Sequence, residues 1–496
     1  MITNNCISDI KAYHDALFGA SITDKDKVTL TSIITLLVSS NYKKFETDYS
    51  DILLKEGQSY IGLPSERLVN MASDYLISLH IDANFEKTIL TLWTGMKAKN
   101  SLNTFKNGEY NLINIIKTFI EKCKPYVAST KKENTFDFLG KMFAELNGKG
   151  AKGKTGIVLT PTFLADFMTD LLKLDYKKDI VFDACCGSGT FLTMAYMKMY
   201  NDLEKDFAEN KLTPEEHDSY LKRLSTSVYG NDNDETMALL CLINFLLLGI
   251  DIHNVTLDDC FKLNGNYFDS RSINKGILNP PFEYGPSDFC NYLIERIKSD
   301  SSKEEKKFCI ICPPQSMGKK ADILSKILNM STLKAVLEVQ GDAFQESNIS
   351  FGTSIFLFDL DRQQLKTDKI VYYDFSDTGY VYYKDSGLVD KYDQFETKKK
   401  NALDTIENLE ALPERKSTRT WTSFFDIPEV NNFVISIDPT EVQLGNVEET
   451  DLTKANQEIK TILKEKQELI DSVGNKIPNT EEFENYLVEI LSEVGG

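Results

Sequence analysis

The sequence has few of the features that mark membrane proteins or disulfide-stabilised proteins. No apolar run approaches the length of about 20 residues that crosses a bilayer, and the first residues lack the basic and then apolar pattern of a signal peptide. The nine cysteines are an odd number scattered through apolar stretches, which indicates reduced thiols rather than a disulfide framework. We therefore expect a cytoplasmic protein without a membrane segment, and its 496 residues are enough for two or three domains.

Metal ligands and nuclease patterns are also scarce. Cys309 and Cys312 have the spacing of a zinc-ligand pair, but no second pair follows and the chain contains only four histidines. Because both cysteines lie in an apolar run that is typical of a buried strand, we interpret them as structural residues. No nuclease pattern of the type Asp…Glu-x-Lys supports a cleavage site in residues 1–150. The sequence therefore predicts no metal site.

Positive charge is the third deficit. Acidic residues outnumber basic residues by 75 to 56, which gives a net charge of −19. A protein that holds DNA alone normally has a basic excess, because phosphate contacts supply most of the non-specific affinity. The basic clusters are local and are interpreted as solvated loops: Lys149, Lys152 and Lys154; Lys303, Lys306 and Lys307; and Lys398, Lys399 and Lys400. If the chain acts on DNA, a partner must supply sequence reading and much of the phosphate contact.

The most informative stretch is Asn279-Pro280-Pro281-Phe282, here named the Pro-Pro loop, which follows the short apolar run 276–278. Proline has a fixed φ and no N–H, so the segment leaves the strand as a stiff loop with an accepting carbonyl. Asn279 Oδ1 and the Pro280 carbonyl can accept the two hydrogens of an amino group while Phe282 stacks on its ring. This pattern favours a site that turns an amino nitrogen toward an electrophile, and the alternative is a turn with an incidental aromatic.

A glycine-rich segment indicates where the electrophile is bound. Residues 179–183 read as a buried strand, Gly187-Ser188-Gly189 as a tight turn, and Thr190 as the start of a helix. Glycines permit close approach of backbone to a ligand, and helix N-termini favour anionic groups. The segment lacks the third glycine and the Lys-Ser/Thr of phosphate-binding loops. The acidic strand end at Asp183 instead suits a cofactor with an ammonium group or hydroxyls, such as S-adenosylmethionine.

Two further acidic residues follow strand-like runs. Asp232 ends the run 227–232 and could bind a ribose diol, as acidic residues do in doubly wound nucleotide folds. Asp259 follows Val255 and could accept from the adenine amino group of the cofactor. Either residue alone is more often a helix cap or turn former. Their order along the chain is what favours a shared cofactor site.

The apolar pattern predicts an α/β fold with a doubly wound, mostly parallel sheet. Residues 1–150 read as a helical domain, and residues 151–385 alternate strand and helix patterns, with strands near 180, 228, 277, 309, 336 and 356. Residues 237–248 form a buried helix that is too short to cross a membrane. The tyrosine-rich run 371–383 is predicted to form a hairpin around Asp377-Thr378-Gly379, with its aromatics packed on the sheet edge.

The last part of the chain, residues 386–496, is polar and charged and is predicted to form a helical region. A heptad-like seam runs through Leu452, Ala455, Ile459, Ile462, Lys466 and Leu469. Fewer than three heptads do not establish a coiled coil, so a plain amphipathic helix remains an equal alternative.

Taken in order, these motifs resemble the amino-methyltransferases of DNA, and most closely the methylation subunit of type I restriction-modification systems. The resemblance covers roughly residues 135–385. It implies a class I S-adenosylmethionine-dependent methyltransferase fold and a flipped adenine in the Pro-Pro loop. It also implies cofactor contacts from Gly156, Ile157, Val158, Leu159, Thr160, Pro161, Asp183, Cys185, Gly187, Ser188, Gly189, Thr190, Asp232 and Asp259. Two departures are the Ala184-Cys185 pair, where the family commonly has Pro-Ala, and Asp232, where it usually has Glu.

The resemblance also implies partners. In that family the carboxyl-terminal helices dock on a specificity subunit that reads the DNA, two methylation subunits join each complex, and a restriction or translocase subunit can join as well. We therefore expect a site-specific adenine N6-methyltransferase subunit. Two alternatives stay open: a stand-alone enzyme that methylates RNA or a protein glutamine, and an inactive scaffold of a defence complex.

Overall fold

The computed structural model describes residues 4–40, 63–129, 142, 146, 160–299, 304–318, 320–345, 352–365, 368–383, 387–407 and 434–436. Three predictions lie outside the described residues: the cofactor contacts of residues 156–159, the lysines at 149, 152, 154 and 303, and the heptad seam at 452–469. The docking role of residues 386–496 stays a prediction. The predicted domain boundaries at 150 and 385 stay predictions.

The N-terminal part is helical, as predicted. Its helices are α1 (Asn4–Gly19), α2 (Asp24–Ser40), α3 (Pro64–Ser78), α4 (Ala83–Thr94), α5 (Asn100–Asn103), α6 (Asn111–Thr118) and α7 (Lys124–Ser129), with a π-helix at Phe119–Cys123. A small hairpin of β1 (Phe105–Lys106) and β2 (Glu109–Tyr110) interrupts them. Residues three or four positions apart, such as Phe85, Ile89 and Trp93 of α4, form the buried faces. Asp82 caps α4 by accepting from the N–H groups of Asn84 and Phe85.

The central sheet holds the strands β3 (Val181–Asp183), β4 (Val228–Asp232), β5 (Val255–Leu257), β6 (Lys275–Leu278), β7 (Lys307–Cys312), β8 (Thr332–Val339), β9 (Thr353–Asp359), β10 (Lys369–Phe375) and β13 (Val434–Ser436). Their order across the sheet is β13-β10-β8-β9-β7-β6-β3-β4-β5. Only β9 runs antiparallel to its neighbours among these strands. The carboxyl ends of β3 to β8 and β10 therefore lie at one edge of the sheet.

Helices cover both faces of this sheet, so that most of its strand residues are buried. They are α8 (Thr162–Leu171), α9 (Thr190–Ala208), α10 (Pro214–Leu224), α11 (Glu235–Leu248), α12 (Gly265–Asp269), α13 (Pro286–Ser299), α14 (Pro314–Gly318), α15 (Ala321–Met330) and α16 (Phe395–Glu407). The short 3-10 helices are Ile252–Asn254, Cys260–Lys262 and Phe282–Tyr284. Helices α8, α9, α11 and α16 share one apolar cluster with the N-terminal helices, and α12 to α15 share a second cluster.

Helix α11 joins the N-terminal helices to the sheet. Ten of its fourteen residues, including Asn244, are buried, and α2 and α4 pack against it. Asp234 caps its first turn, and Gly249, with a φ of 76°, ends it. The predicted buried helix at 237–248 is confirmed, and its polar-free outer face is explained by the N-terminal helices that cover it.

The six predicted strands are all present, and two details differ. The three-residue strand β5 was not predicted, because it is short and carries a polar residue, Thr256. The predicted hairpin at 371–383 is wrong: β10 pairs with β8 in the central sheet, whereas β11 (Tyr380–Tyr383) pairs with β12 (Gly387–Asp390) in a separate sheet. Residues of β10 are buried on both faces, as a central strand requires.

Cys309 and Cys312 lie in strand β7, as predicted. Because side chains alternate along a strand, the two residues belong to different apolar clusters on opposite faces of the sheet. All nine cysteines are within the described part of the chain, and none is in a disulfide. Among the described residues, no helix combines the length and the apolar composition needed to span a membrane.

Candidate active site

The predicted motifs meet at the carboxyl edge of three neighbouring strands. Strand β3 ends at Asp183, β4 ends at Asp232, and β6 leads into the Pro-Pro loop. Strand β3 lies between the other two and pairs with both in parallel. Parallel pairing brings the segments that follow these strands to one place, which is where open α/β sheets bind ligands.

The Gly-rich turn after β3 is shaped by two glycines. Gly187 and Gly189 have φ angles of 55° and 88°, which are costly for other residues. A Cβ on Gly189 would lie 2.9 Å from Cys241 Sγ on α11, whereas a Cβ on Gly187 would meet nothing within 4 Å. Asn244 Nδ2 donates to the Ser188 carbonyl at 2.8 Å. The turn is therefore packed onto α11 through Gly189 and faces open space at Gly187.

Asp232 is tied to this turn. Its Oδ2 accepts from the Gly187 N–H at 2.8 Å, and its Oδ1 accepts from the Asp234 N–H at 2.9 Å. Burial raises the pKa of Asp232 from 3.8 to about 6, although these backbone donors lower it. Asp232 thus fixes the Gly-rich turn, a role that the sequence did not reveal. A backbone hydrogen bond from Asn233 also reaches its carboxylate.

Asp183 is the second buried acid of the site, with 1% of its surface exposed. Burial raises its pKa well above the usual range, and the nearby Asp232 raises it further, while a bond from the Cys185 N–H lowers it. Two adjacent buried carboxylates create a local preference for positive charge or hydroxyl donors. A ligand with an ammonium group and ribose hydroxyls carries donors of this kind.

Asp259 lies at the end of β5, beside β4. Its neighbour Asp258 donates its N–H to the Asp232 carbonyl at 3.1 Å, which places the β5 end next to the β4 end. Asp259 itself is exposed, and its Oδ1 accepts from the Phe261 N–H at 3.1 Å. It therefore acts as the cap of a 3-10 helix, and its predicted contact with a cofactor adenine stays a prediction.

The Pro-Pro loop leaves β6 with both ends supported. Asn279 is 8% exposed, and its Nδ2 donates to Thr160 Oγ1 at 3.0 Å, across 119 residues of sequence. Pro280 is buried and Pro281 half-buried. Phe282 is half-buried and meets Phe344 edge to face, with ring centroids 6.0 Å apart and an interplanar angle of 88°.

The two supports of this loop are connected to each other, and we name them together the loop frame: Thr160, Phe163, Tyr380, Gln340 and Phe344. Phe163, on the helix that follows Thr160, stacks on Tyr380 at 4.2 Å. Gln340 Nε2 donates to the Tyr380 carbonyl at 3.3 Å, and the loop that begins at Gln340 carries Phe344. Phe344 and Gln340 were not predicted as site residues. The only signal in the sequence was that they follow a strand that ends at this edge of the sheet.

The residues predicted for the site are thus brought together where they are described. Asp183, Cys185, Gly187, Ser188, Gly189, Thr190 and Asp232 surround the Gly-rich turn, and Thr160, Asn279 and Phe282 lie in the Pro-Pro loop or contact it. Pro161 is the N-cap of α8. Gly156, Ile157, Val158 and Leu159 lie outside the described residues. No cluster of potential metal ligands occurs in the described ranges.

Comparison with known proteins shows sequence similarity to DNA methylases. Residues 134–296 match the family described as N-6 DNA methylase. The chain is 27% identical over 285 residues to the restriction enzyme and methyltransferase RM.BcgI of Heyndrickxia coagulans, covering 55% of this chain and 42% of that protein. It is 22% identical over 293 residues to the methylase subunit of the type I restriction enzyme EcoEI of Escherichia coli, covering 55% of this chain and 56% of the subunit. The chain spans about half the length of these curated relatives.

Solved structures show the same fold. A chain from a type I restriction-modification system has a TM-score of 0.55 at 17% identity, with 95% of this chain and 99% of that chain covered. The methyltransferase subunit of the type I system of Streptococcus thermophilus has a TM-score of 0.51 at 14% identity, with 81% and 93% covered. The predicted α/β fold with a mostly parallel, doubly wound sheet is therefore confirmed.

Proposed function

We propose that this chain, in which residues 134–296 match the N-6 DNA methylase family, is the methylation subunit of a restriction-modification complex, where it methylates adenine N6 in DNA. The observation that carries this proposal is the position of the Pro-Pro loop beside the Gly-rich turn, on the directly paired strands β6 and β3. An acceptor site for an amino group thus adjoins a site suited to a polar, positively charged cofactor.

The proposed cofactor is S-adenosylmethionine, which supplies an electrophilic methyl group. The residues that would hold it are Asp183, Asp232 and the Gly-rich turn, together with Thr160 and Pro161. Asp232 accepts a hydrogen bond from the ribose, and a positive group of the ligand beside the buried Asp183 would lower the raised pKa of this carboxyl and so favour its ionised form. Gly187 faces open space, so that ligand and backbone can approach closely.

In the proposed reaction the chain aligns an adenine that has been turned out of the duplex, at a cost of a few kcal/mol. Asn279 Oδ1 and the Pro280 carbonyl accept the two amino hydrogens, which directs the nitrogen lone pair out of the ring plane. Phe282, held by Phe344, stacks on the base. Catalysis then depends mainly on alignment of nitrogen and methyl. No strong base is needed, because the proton leaves after the nitrogen has become cationic.

The partners follow from charge. With a net charge of −19, the chain repels phosphate over about a Debye length, ~8 Å at physiological salt. We propose that a specificity subunit reads the sequence and holds the DNA, that residues 386–496 dock on it, and that a second copy of this chain serves the other strand. The complex acts in the cytoplasm, where DNA and reduced thiols coincide; a restriction or translocase subunit is compatible with it.

The test is methyl transfer to adenine by the chain together with its specificity partner. Asn279→Ala is expected to abolish transfer while leaving cofactor affinity nearly unchanged, because Asn279 contacts the base rather than the cofactor. Asn266→Ala, at an exposed position of α12, is the matched control and should retain activity. A wild-type complex that methylates RNA or a protein glutamine but not DNA, or that methylates nothing, would overturn the proposal.

A further inference from the structure

We propose that Thr160 is a positioning residue that sets which way round the side-chain amide of Asn279 is held. This inference rests on the proposed function and concerns a step that function requires. For Asn279 to accept a hydrogen from the adenine amino group, its Oδ1 must face the base and its Nδ2 must face away. Rotation of the amide by 180° would present an N–H₂ group to another N–H₂ group, and the contact would become repulsive.

The contact between the two side chains supplies this selection. Asn279 Nδ2 donates to Thr160 Oγ1 at 3.0 Å, in a place where Asn279 is only 8% exposed. In this arrangement the nitrogen end of the amide is bound to Thr160, and the oxygen end points to the opposite side. Reversing the amide therefore costs this hydrogen bond in addition to the mismatch with the base.

A hydroxyl can donate as well as accept, so its own hydrogen decides which end of the amide it prefers. When that hydrogen is used elsewhere, Thr160 can only accept, and Nδ2 is the end it selects. Thr160 immediately precedes Pro161, the N-cap of α8, in the segment proposed to contact the cofactor. The carboxylate of a bound S-adenosylmethionine would be one acceptor for this hydrogen. Thr160 would then link a filled cofactor site to a correctly oriented Asn279.

The loop frame makes this positioning effective. Thr160 is fixed by the helix that carries Phe163, and Phe163 is stacked at 4.2 Å on Tyr380. Asp166 of the same helix forms ion pairs with Lys198 and Lys399, at 2.8 Å and 2.5 Å. The hydroxyl is therefore presented from a segment that is anchored on α9 and α16, and it does not depend on the Pro-Pro loop for its own position.

The experiment compares Thr160→Val, Thr160→Ala and Thr160→Ser in the complex with the specificity partner. At saturating cofactor, the two variants without a hydroxyl are expected to lose about 10- to 100-fold in kcat, the scale of a misaligned reacting group. Thr160→Ser should remain within about threefold of wild type. Calorimetric titration of the isolated chain with S-adenosylmethionine measures how far the lost hydroxyl weakens cofactor binding, and the loss in kcat should persist at cofactor concentrations that saturate each variant.

The outcomes separate this inference from the proposed function. An inactive wild-type complex refutes the proposed function itself. An active wild type with unchanged kcat in Thr160→Val or Thr160→Ala refutes the positioning role. The positioning role is also refuted if weaker cofactor binding accounts for the whole loss of activity, or if Thr160→Ser is as impaired as Thr160→Ala.

A double-mutant cycle gives a readout that a purely structural role would not move. In Asn279→Asp the two carboxylate oxygens are equivalent, so no orientation remains to be selected. Adding Thr160→Val to Asn279→Asp should therefore change kcat by less than about threefold, whereas it changes kcat at least tenfold in the Asn279 background. Equal losses in both backgrounds contradict the inference.

Discussion

Cofactor binding is expected to weaken as the pH falls from 7 to 5, because Asp232 must be ionised to hold its backbone donors and still accept from the ribose. Burial raises the pKa of this carboxyl from 3.8 to about 6 in the folded chain. Below pH 6 a growing fraction of the carboxyl groups carries a proton and loses acceptor capacity. A ligand that needs the ionised form must then release this proton, and its apparent affinity falls.

The magnitude follows from the ionised fraction of Asp232. With a pKa of about 6, this fraction is roughly ten-elevenths at pH 7 and one-eleventh at pH 5, so the dissociation constant rises about tenfold. The weaker binding at low pH is not caused by unfolding that results from the protonation of Asp232. An acid with a raised folded-state pKa stabilises the fold most below its ordinary pKa, and this contribution is lost as the pH rises through 6.

Calorimetric titration with S-adenosylmethionine at pH 5, 6 and 7 measures the dependence, and buffers with different ionisation enthalpies count the released proton. Asp232→Ala should bind at least several-fold more weakly at pH 7, since a charged hydrogen bond contributes about 1.5–3 kcal/mol. The residual pH dependence of this variant reports on Asp183, whose pKa burial also raises. Equal wild-type affinity at pH 5 and 7, with circular dichroism showing a folded chain, would refute the role of Asp232 at the ribose.

Three other predictions concern the Pro-Pro loop, the Gly-rich turn and the binding of DNA and the partner. Phe344→Leu removes the edge-to-face contact with Phe282, worth about 0.5–1.5 kcal/mol; steady-state kinetics should show slower methylation with unchanged cofactor affinity, and an unchanged rate would contradict the role of Phe344. Gly189→Ala should lower the unfolding free energy in urea by about 2–4 kcal/mol, through its φ of 88° and the contact with Cys241, whereas Gly187→Ala, the control in open space, should lose only about 1–2 kcal/mol. The isolated chain should bind DNA more weakly than the usual ~10⁻⁴–10⁻⁶ M in a mobility-shift assay, and tight sequence-specific binding by the chain alone would refute the need for a partner. Deletion of residues 450–496 should prevent co-purification with the specificity partner.

The central sheet was predictable because its strands are continuous apolar runs. Strand β7, from Lys307 to Cys312, is buried at every position and carries an unambiguous signal. Strand β5 has three residues, of which Thr256 is polar, and so gives almost none. The tyrosine run was misread because a central strand and a hairpin arm share β-branched and aromatic residues. Pairing partners decide between them, and a single sequence does not contain those partners.

The candidate site was predictable in its parts but not in its connections. Glycines and acids at strand ends located the Gly-rich turn, and Asn-Pro-Pro-Phe located the amino-group site. The bond from Asn279 to Thr160 joins positions 119 residues apart, and no local pattern encodes such a contact. Phe344 lies in a polar stretch after β8 and resembles any loop aromatic. Asp232 was predicted as a ligand residue, whereas its bonds to the Gly-rich turn depend on backbone geometry.

Because helix α11 is buried on both sides, it restricts recombination between related genes. One side of the helix covers the sheet and the other is covered by α2 and α4, so the amino-terminal helices and the catalytic strands share one apolar core. Recombination that joined the strands to foreign amino-terminal helices would create mismatched packing along α11. Inherited units should therefore run from the first helix through β13 without a break, and recombination joints that give folded proteins should fall beyond the sheet.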